Sequence, residues 1–472
     1  MVGLTRVCCT YVQRSVSRAL HSPDETKVTV QGWLRSVRAQ KSRVFASIND
    51  GLSAETLQLV IPSSLDPKGL SVNSFVQVSG QIVHTPSRPQ PAELKCHHVH
   101  LVKTCPPEGY PFPARSSPDW HQARQHPHLR SRLARCAAVL RARAAVTRAV
   151  HAHMERQGYL QVDTPVLTAN DCEGAGHVFT VTTSPGRSEA GDGADSDGSS
   201  DSDDRERPFF GRDVYLTVSG QLHLEAVTCG VTHVYTLSPA FRAERSRTRR
   251  HLAEFRMLEA ELAPAAELFE LTGPLEQLTR EVTESFLASC GPELELLRPG
   301  DWREHLTFLK RLQSTPFARI THAEAVELLR RRGDLSSAPR PDGDLSREHE
   351  LALLEHTGNT PVFVTDWPAE LKPFYMRPSG ENTVAAVDLL VPRIGELAGG
   401  SLREDCADRL SSRLARLGLS ERLDWYVQLR RYGGPPTAGY GLGLERLLLL
   451  LTGLEHVRDV VPFPRWLHHC DT

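Results

Sequence analysis

The sequence predicts an α+β protein in two parts: a small N-terminal barrel of short strands, then a larger domain in which an antiparallel sheet is flanked by helices. Three observations predict it. Between Lys27 and Lys103, stretches of alternating apolar and polar residues are separated by turn residues, the period-2 pattern of half-buried strands. Farther on, Phe241-Arg242-Ala243-Glu244 and Arg249-Arg250-His251-Leu252-Ala253-Glu254-Phe255 form two strand-like stretches joined by a basic loop. Near the C-terminus, Gly439-Tyr440-Gly441-Leu442-Gly443-Leu444-Glu445-Arg446 runs into LLLLLTGL, a glycine-rich strand or turn feeding an apolar helix.

Size and composition set limits. With 472 residues and 40% apolar content the chain has room for two or three domains and a large core. No apolar run reaches the roughly 18 residues of a membrane span, so no membrane partner is expected. A formal charge of −2 excludes a generally basic nucleic-acid binder, and any such binding must be local. The ten cysteines include no CxxC pair and no His/Cys cluster, which points to free thiols in a reducing compartment without structural zinc.

Residues 1–23 carry Arg6, Arg14 and Arg18, several Ser and Thr, and no acid before Asp24. This composition predicts a mitochondrial transit peptide, absent from the mature fold, against the alternative of a tail without a role. Residues 27–104 hold VTVQGWLRSV, RVFASIND, LQLVI, FVQVSGQIV and AELKCHHVHLV, with Asn49-Asp50-Gly51 as a hairpin signal. Five such strands fit a closed barrel of the oligonucleotide-binding (OB) type, although other small barrels fit the count. CPPEGYPFPARSSP opens a hinge over 105–127, and the larger domain occupies 128–472. It begins with an Ala/Arg-rich helix from about His128 to Gln157. Residues 183–208 are small, polar and acidic, an insertion expected to stay disordered. Residues 263–360 read mainly as helices, and PVFVTDW and TVAAVDLLV return to strands that complete the sheet.

The chemistry concentrates in the hairpin. Strand alternation places Arg242 and Glu244 on one face, and Phe255, Met257 and Glu259 on one face of the return strand. A guanidinium for a phosphate and a ring for a purine then share a surface, and arginine suits the phosphate through its planar, permanently charged fork. The alternative is a solvated Arg/Glu hairpin. Backbone can approach a ligand closely along the glycine-rich segment, although such a string taken alone is more often a tight turn.

Together these two segments resemble motifs 2 and 3 of the class II aminoacyl-tRNA synthetases, and Gly158-Tyr159-Leu160-Gln161-Val162-Asp163-Thr164-Pro165-Val166-Leu167-Thr168 resembles motif 1. GWLRSVR, VFASINDG and LQLV are similar to the anticodon-binding barrel of the class IIb subgroup. The resemblance implies an OB-type barrel followed by a class II catalytic domain. In the barrel, Phe45 and Gln58 would engage the central anticodon base, with Glu93 a third contact, unless Phe45 is plain core. It also implies activation of an amino acid by ATP and transfer of the acyl group to a tRNA 3′ end. By matching position, Arg242 would hold the α-phosphate as the first catalytic cation, and Arg250, His251 and the second catalytic cation, Arg446, the β/γ end. Phe255 would stack on adenine, and Glu244, Leu252, Glu396, Gly441, Gly443 and Glu445 would complete the ATP site. Asp388 and Glu396 resemble the acids that bind Mg2+. Gly399 stands where many relatives have a metal-contacting serine.

Substrate choice rests on SGQLHLE (219–225) and GGSLRE (399–404). Aspartyl members place a lysine where this chain has Leu224, and Glu225 follows. A carboxamide satisfies both ends of such a pocket, its N–H donors on Glu225 and its carbonyl on Arg403. Glu173, Gln221 and Glu259 would hold the substrate ammonium, with Ser219 beside them. The resemblance therefore narrows to asparaginyl-tRNA synthetases and, with the N-terminal stretch, to the mitochondrial type. It implies L-asparagine and tRNA(Asn) as partners, a homodimer through motif 1, the mitochondrial matrix as location, and an acceptor end met by Arg245, Arg247 and Arg249. The rivals are an aspartyl enzyme, possibly non-discriminating; an ammonia-dependent asparagine synthetase, which needs no anticodon barrel; and a non-catalytic RNA-binding paralogue. The last would be expected to lose a phosphate arginine or a metal acid, yet Arg242, Arg446, Asp388 and Glu396 are all present.

Overall fold

The structure, a computed structural model, describes residues 11–65, 69–87, 90–113, 118–170, 177–182, 209–246 and 248–471. Contacts divide the chain into two units: 1–145 with 289–302 and residue 472, and 146–288 with 303–471. The predicted acidic insertion, 183–208, lies outside the described residues.

The first unit is built on β1 (Lys27–Ala39), β2 (Arg43–Asn49), β3 (Leu57–Pro62), β4 (Phe75–His84) and β5 (Ala92–Lys103). β1, β2 and β3 pair antiparallel, β3 pairs parallel with β5, β5 antiparallel with β4, and β4 returns to β1. The sheet therefore closes on itself, which removes the open edges of these strands. Alternation does the rest: Val28, Val30, Ala46, Ile48, Leu57, Leu59, Val76 and Val78 point inward and are fully buried. At Gly32 the closure brings backbone so near that a Cβ would stand 2.6 Å from the Asn49 carbonyl oxygen.

Among the described residues before Lys27, some join this core. A two-residue strand, Val12–Gln13, pairs parallel with β1, and α1 (Val16–Leu20), capped by Ser15, buries Val16, Ala19 and Leu20 in the barrel's cluster. Asp50, in the predicted hairpin turn, accepts the Val16 N–H at 2.8 Å, and Glu55 accepts the Ser17 hydroxyl at 2.5 Å. The expectation that all of 1–23 stands apart from the fold is corrected here: from Val12 onward the stretch is barrel structure, because its apolar residues recur at helical spacing.

The division falls within α2 (Ala134–Arg156), because Arg141 donates to the Gly51 carbonyl of the barrel at 2.8 Å and pairs with Glu293 at 2.7 Å.

The second unit holds an eight-stranded sheet: β6 (Leu160–Gln161), β7 (His233–Phe241), β8 (Glu254–Leu262), β9 (Ala318–Thr321), β10 (Val362–Pro368), β11 (Thr383–Val391), β12 (Gly395–Leu402) and β13 (Ala438–Gly443). Their order is β9-β10-β11-β12-β13-β8-β7-β6. The six central strands are antiparallel, and the short edge strands β9 and β6 pair parallel with their neighbours. Helix α3 (Gln221–Thr228) precedes β7, α4 (Phe269–Ser289) follows β8, α5 (Arg347–His356) precedes β10, and α6 (Asp424–Arg431) precedes β13. In α7 (Leu444–Thr452) every residue but Arg446 is buried, so the leucine run anchors the helix and leaves one cation at its start.

Candidate active site

One transverse row of the sheet places the chemistry. Asp388, Gly399, Gly441 and Glu259 lie side by side on β11, β12, β13 and β8. The next row is Ser401, Gly439 and Glu261. The β13 glycines make a trough between the flanking side chains. A Cβ on Gly439 would overlap the Glu261 carboxylate and the Arg403 guanidinium, while one on Gly441 would stand 3.4 Å from Met257 Sδ. Glycine is thus demanded at 439 by a buried ion pair, and at 441 it opens the floor.

A cleft lies at one end of this trough. Arg242, Glu244, Arg250, His251, Leu252 and Phe255 line it from the hairpin, Glu396 from β12, and Gly441, Gly443, Glu445 and Arg446 from the β13–α7 segment. All eleven residues expected at an ATP site therefore meet in one place. The expected strand geometry is corrected at one point: β7 ends at Phe241, so Arg242 and Glu244 stand in the loop beyond it. The Arg242 guanidinium nevertheless lies 5.7 Å over the Phe255 ring. Arg446 donates to the Glu396 carbonyl at 2.8 Å and to its carboxylate at 3.2 Å, and Glu445 accepts the Arg256 N–H at 3.0 Å, tying the start of α7 to β8. Arg250 binds the Arg393 and Ile394 carbonyls, and His251 lies 3.7 Å from Glu244. Arg245 and Arg249 are exposed in the loop, and Arg247 lies outside the described residues.

A β-bulge aims Glu396. β11 and β12 pair Leu389 with Ala398 but Leu390 with Glu396, so Leu397 is the extra residue and Glu396 turns to the face of Gly399 and Asp388. A Cβ on Gly399 would lie 3.3 Å from Asp388 Oδ1 and 3.5 Å from Glu396 Oε1, so both carboxylates lean over bare glycine. Two hard oxygen donors fit a Mg2+ site. No group of three His, Cys, Asp or Glu side chains among the described residues is arranged for a metal ion. Asp388 Oδ2 is held by Lys372 at 2.6 Å. Burial lifts the Asp388 carboxyl to about 6, with Lys372 opposing. Burial would lift Glu396 too, but Arg446 and Lys372 hold it below the usual range. Sequence reasoning missed Lys372, and it missed Glu350 of α5, which burial and the nearby Glu396 push up to about 7.

The other end of the trough gathers Ser219, Gln221, Glu225, Glu259 and Arg403. Glu259 accepts the Ser219 hydroxyl and the Gly220 N–H, the latter at 2.8 Å. Glu225 accepts Gln221 Nε2 at 3.0 Å and lies 3.7 Å from Arg403 Nε. Glu173 lies outside the described residues. Glu225 and Arg403, expected to grip the two ends of a carboxamide, also have protein partners. Glu225 also accepts the Tyr426 hydroxyl at 2.6–2.7 Å and Arg430 at 2.6 Å, while Arg403 forks onto Glu261 and donates to Ser401 at 2.8 Å. Burial of all these groups leaves no water to satisfy them, so they satisfy one another. Burial would lift the Glu225 carboxyl, but Arg430, Arg403, Tyr426 and Gln221 hold it below the usual range. Burial and the adjacent acids push Glu261 up to about 8 against the pull of Arg403. Glu261 was legible as the residue two after Glu259 on the same strand face; Tyr426 and Arg430 carried no motif signal.

In the barrel, Phe45 and Gln58 are half-buried on the outer face, alternating with the inward Val44, Ala46, Leu57 and Leu59. Phe45 is therefore outside the barrel core. Gln58 pairs in register with Ser47 on β2 and with Glu93 on β5, and Glu93 is buried and accepts from Gln90 at 2.9 Å.

Residues 121–467 match the family model described as tRNA synthetases class II (D, K and N). The chain is 42% identical to an asparaginyl-tRNA synthetase of Mus musculus over 94% of its own length and 91% of the relative's. It is 39% identical to an asparagine–tRNA ligase of Microcystis aeruginosa over 94% and 96%. Among solved structures, asparaginyl-tRNA synthetase from Pyrococcus horikoshii complexed with asparaginyl-adenylate superposes with a TM-score of 0.80 at 30% identity, covering 94% of this chain and 95% of that one. With the trough, the cation-lined cleft and these likenesses together, the chain belongs to the class II tRNA synthetases, within the asparaginyl-tRNA synthetase family.

Proposed function

We propose that this chain activates L-asparagine with ATP and passes the asparaginyl group to tRNA(Asn). The observation that carries the reading is the juxtaposition, in one glycine-floored trough, of a phosphate-sized cation cluster and a buried pocket whose acids outnumber its cations. The substrate carboxylate attacks the α-phosphate in line; Arg242 neutralises the charge that develops there, and Arg446 with Arg250 draws the β/γ end away. Phe255 offers a face for the purine. Asp388 and Glu396 would hold Mg2+, which would supply further charge neutralisation on the phosphates. Little covalent chemistry falls to the protein, so positioning sets the rate.

At the side-chain end, Arg403 has five N–H donors, of which Glu261 and Ser401 take three, so two remain for a carbonyl oxygen. Glu225 keeps acceptor capacity for a carboxamide N–H beside its three protein donors. An aspartate carboxylate would meet Glu225, Glu259 and Glu261. Pyrophosphate exchange should therefore run with asparagine and be weaker with aspartate by on the order of 10⁴-fold. Glu225→Gln should raise the asparagine KM about a hundredfold. Exchange with aspartate as strong as with asparagine would overturn the substrate assignment.

The loop cations give a second test. Replacing exposed Arg245 and Arg249 by alanine is expected to lower tRNA charging about tenfold while leaving adenylate formation near its original rate. Equal loss of both steps would remove the assignment of this loop to the acceptor end. The outward Phe45, with Gln58 beside it, supports an anticodon contact on the barrel. We further propose a homodimer, supported by Leu160 and Leu167, apolar yet 55% and 43% exposed in the motif 1 stretch. A mitochondrial location is proposed on the Arg6, Arg14 and Arg18 composition.

A further inference from the structure

The asparagine reading rests on Glu225, and a second cation besides Arg403 lies against that acid. Arg430 in α6 is 8% exposed and lies 2.6 Å from Glu225 Oε2. One turn earlier on the same helix face, Tyr426 places its hydroxyl 2.7 and 2.6 Å from the two Glu225 oxygens. The two are packed as a unit: the guanidinium lies 4.1 Å over the Tyr426 ring, and Nη2 stands 3.0 Å from its hydroxyl. Arg430 Nε donates to the Glu404 carbonyl at 2.9 Å, which fixes the plane of the fork. Sequence reasoning assigned neither residue a role.

The charges around Glu225 can be counted. It faces Arg430 and Tyr426 from α6, Gln221 from its own helix, Arg403 from beyond β12, and Glu261 from β8, with Glu259 of the same strand beside Glu261. Two cations thus stand among three acidic side chains, one of which, Glu261, is pushed up to about 8. A ligand carboxamide adds no charge and brings N–H donors, whereas a carboxylate adds a fourth acid. That balance holds only while Glu225 is ionised and turned toward the trough. Without its cation a buried carboxyl takes up a proton, becomes a donor, and suits a carboxylate better than an amide.

We propose that Arg430 is a specificity-determining positioning residue of this pocket: with Tyr426 it locks Glu225 in the orientation and ionisation state that accept a carboxamide and exclude a carboxylate. The proposal deepens the asparagine reading and rests on it.

The test is pyrophosphate exchange with asparagine and with aspartate, on the full chain between about pH 6 and pH 9, for the unaltered protein, Arg430→Met, Arg430→Lys and Tyr426→Phe. Arg430→Met is expected to raise the asparagine KM about a hundredfold, with kcat and the ATP KM nearly unchanged. Relative to the unaltered protein, in which Glu261 at about 8 titrates in the same window, the asparagine KM of this variant should worsen as pH falls, because burial lifts the Glu225 carboxyl once Arg430 is gone. Preference over aspartate should shrink in the same direction. Arg430→Lys should recover part of the KM, and Tyr426→Phe should cost about tenfold. Two results would overturn the proposal: an unchanged KM and selectivity in folded Arg430→Met, or a pH-independent loss shared equally by kcat and every substrate. If Arg430→Met does not fold, Arg430→Lys and Tyr426→Phe decide by the same KM and pH readouts. An unchanged asparagine KM in Glu225→Gln would instead sink the underlying reading of Glu225, whatever Arg430 does.

Discussion

Arg446→Ala is expected to slow asparagine-dependent pyrophosphate exchange by about a thousandfold, the range seen when a cation that stabilises a transferring phosphoryl group is removed. The residue is the only member of α7 that is not buried, and it enters the cleft because Gly443 starts the helix directly from the trough. Its Nη1 is fixed by the Glu396 carbonyl at 2.8 Å, so the charge is preorganised and costs no rearrangement when the phosphates arrive. The loss should fall mainly on kcat, since the charge it answers grows in the transition state. Arg446→Lys keeps the charge and loses the fork, so it should recover only part of the rate. Because the apolar face of α7 is untouched, the melting temperature should stay within a few degrees of the original. Exchange within about tenfold of the unaltered protein would contradict the role.

Much of this site could be read from residues alone because its chemistry is local in sequence: hairpin, glycine strand and helix start each carry their own pattern. The glycines at 439, 441 and 443 alternate, and strand geometry turns that alternation into a trough without knowledge of the neighbours. What stayed hidden depended on those neighbours. Simple period-2 reasoning sets Glu396 on the opposite face from Gly399, and only the bulge at Leu397 reunites it with Asp388. Tyr426 and Arg430 lie in an amphipathic helix, where an arginine near the end reads as solvated, and their burial against Glu225 comes from the packing of α6 on α3. In the barrel the alternation sufficed for all five strands. It failed for the first residues, because arginines spread among Ser, Thr and aliphatics describe an imported leader and a short docked helix equally well.

That ambiguity makes the N-terminus a sharp test. A chain beginning at residue 11 is expected to melt like the full protein, and one beginning at residue 24 to melt at least about 10 °C lower in its barrel transition. The reason is α1: Val16 and Ala19 are fully buried and Leu20 is 7% exposed, all within the barrel's own cluster. Leu20→Ala alone should cost about 2–5 kcal/mol, and in a domain of this size each kcal/mol lowers the melting temperature by roughly 4–8 °C. Removing the helix also frees Asp50 and Glu55, which now accept the Val16 N–H and the Ser17 hydroxyl, and Asp50 sits in the turn between β2 and β3. Loosening of that turn should weaken tRNA binding, because Phe45 and Gln58 stand on the two strands it joins. Adenylate formation should survive, since none of the cleft residues belongs to the barrel unit. Equal melting of the two truncated chains would show that α1 contributes nothing to the barrel, and a leader could then extend through residue 23 without penalty.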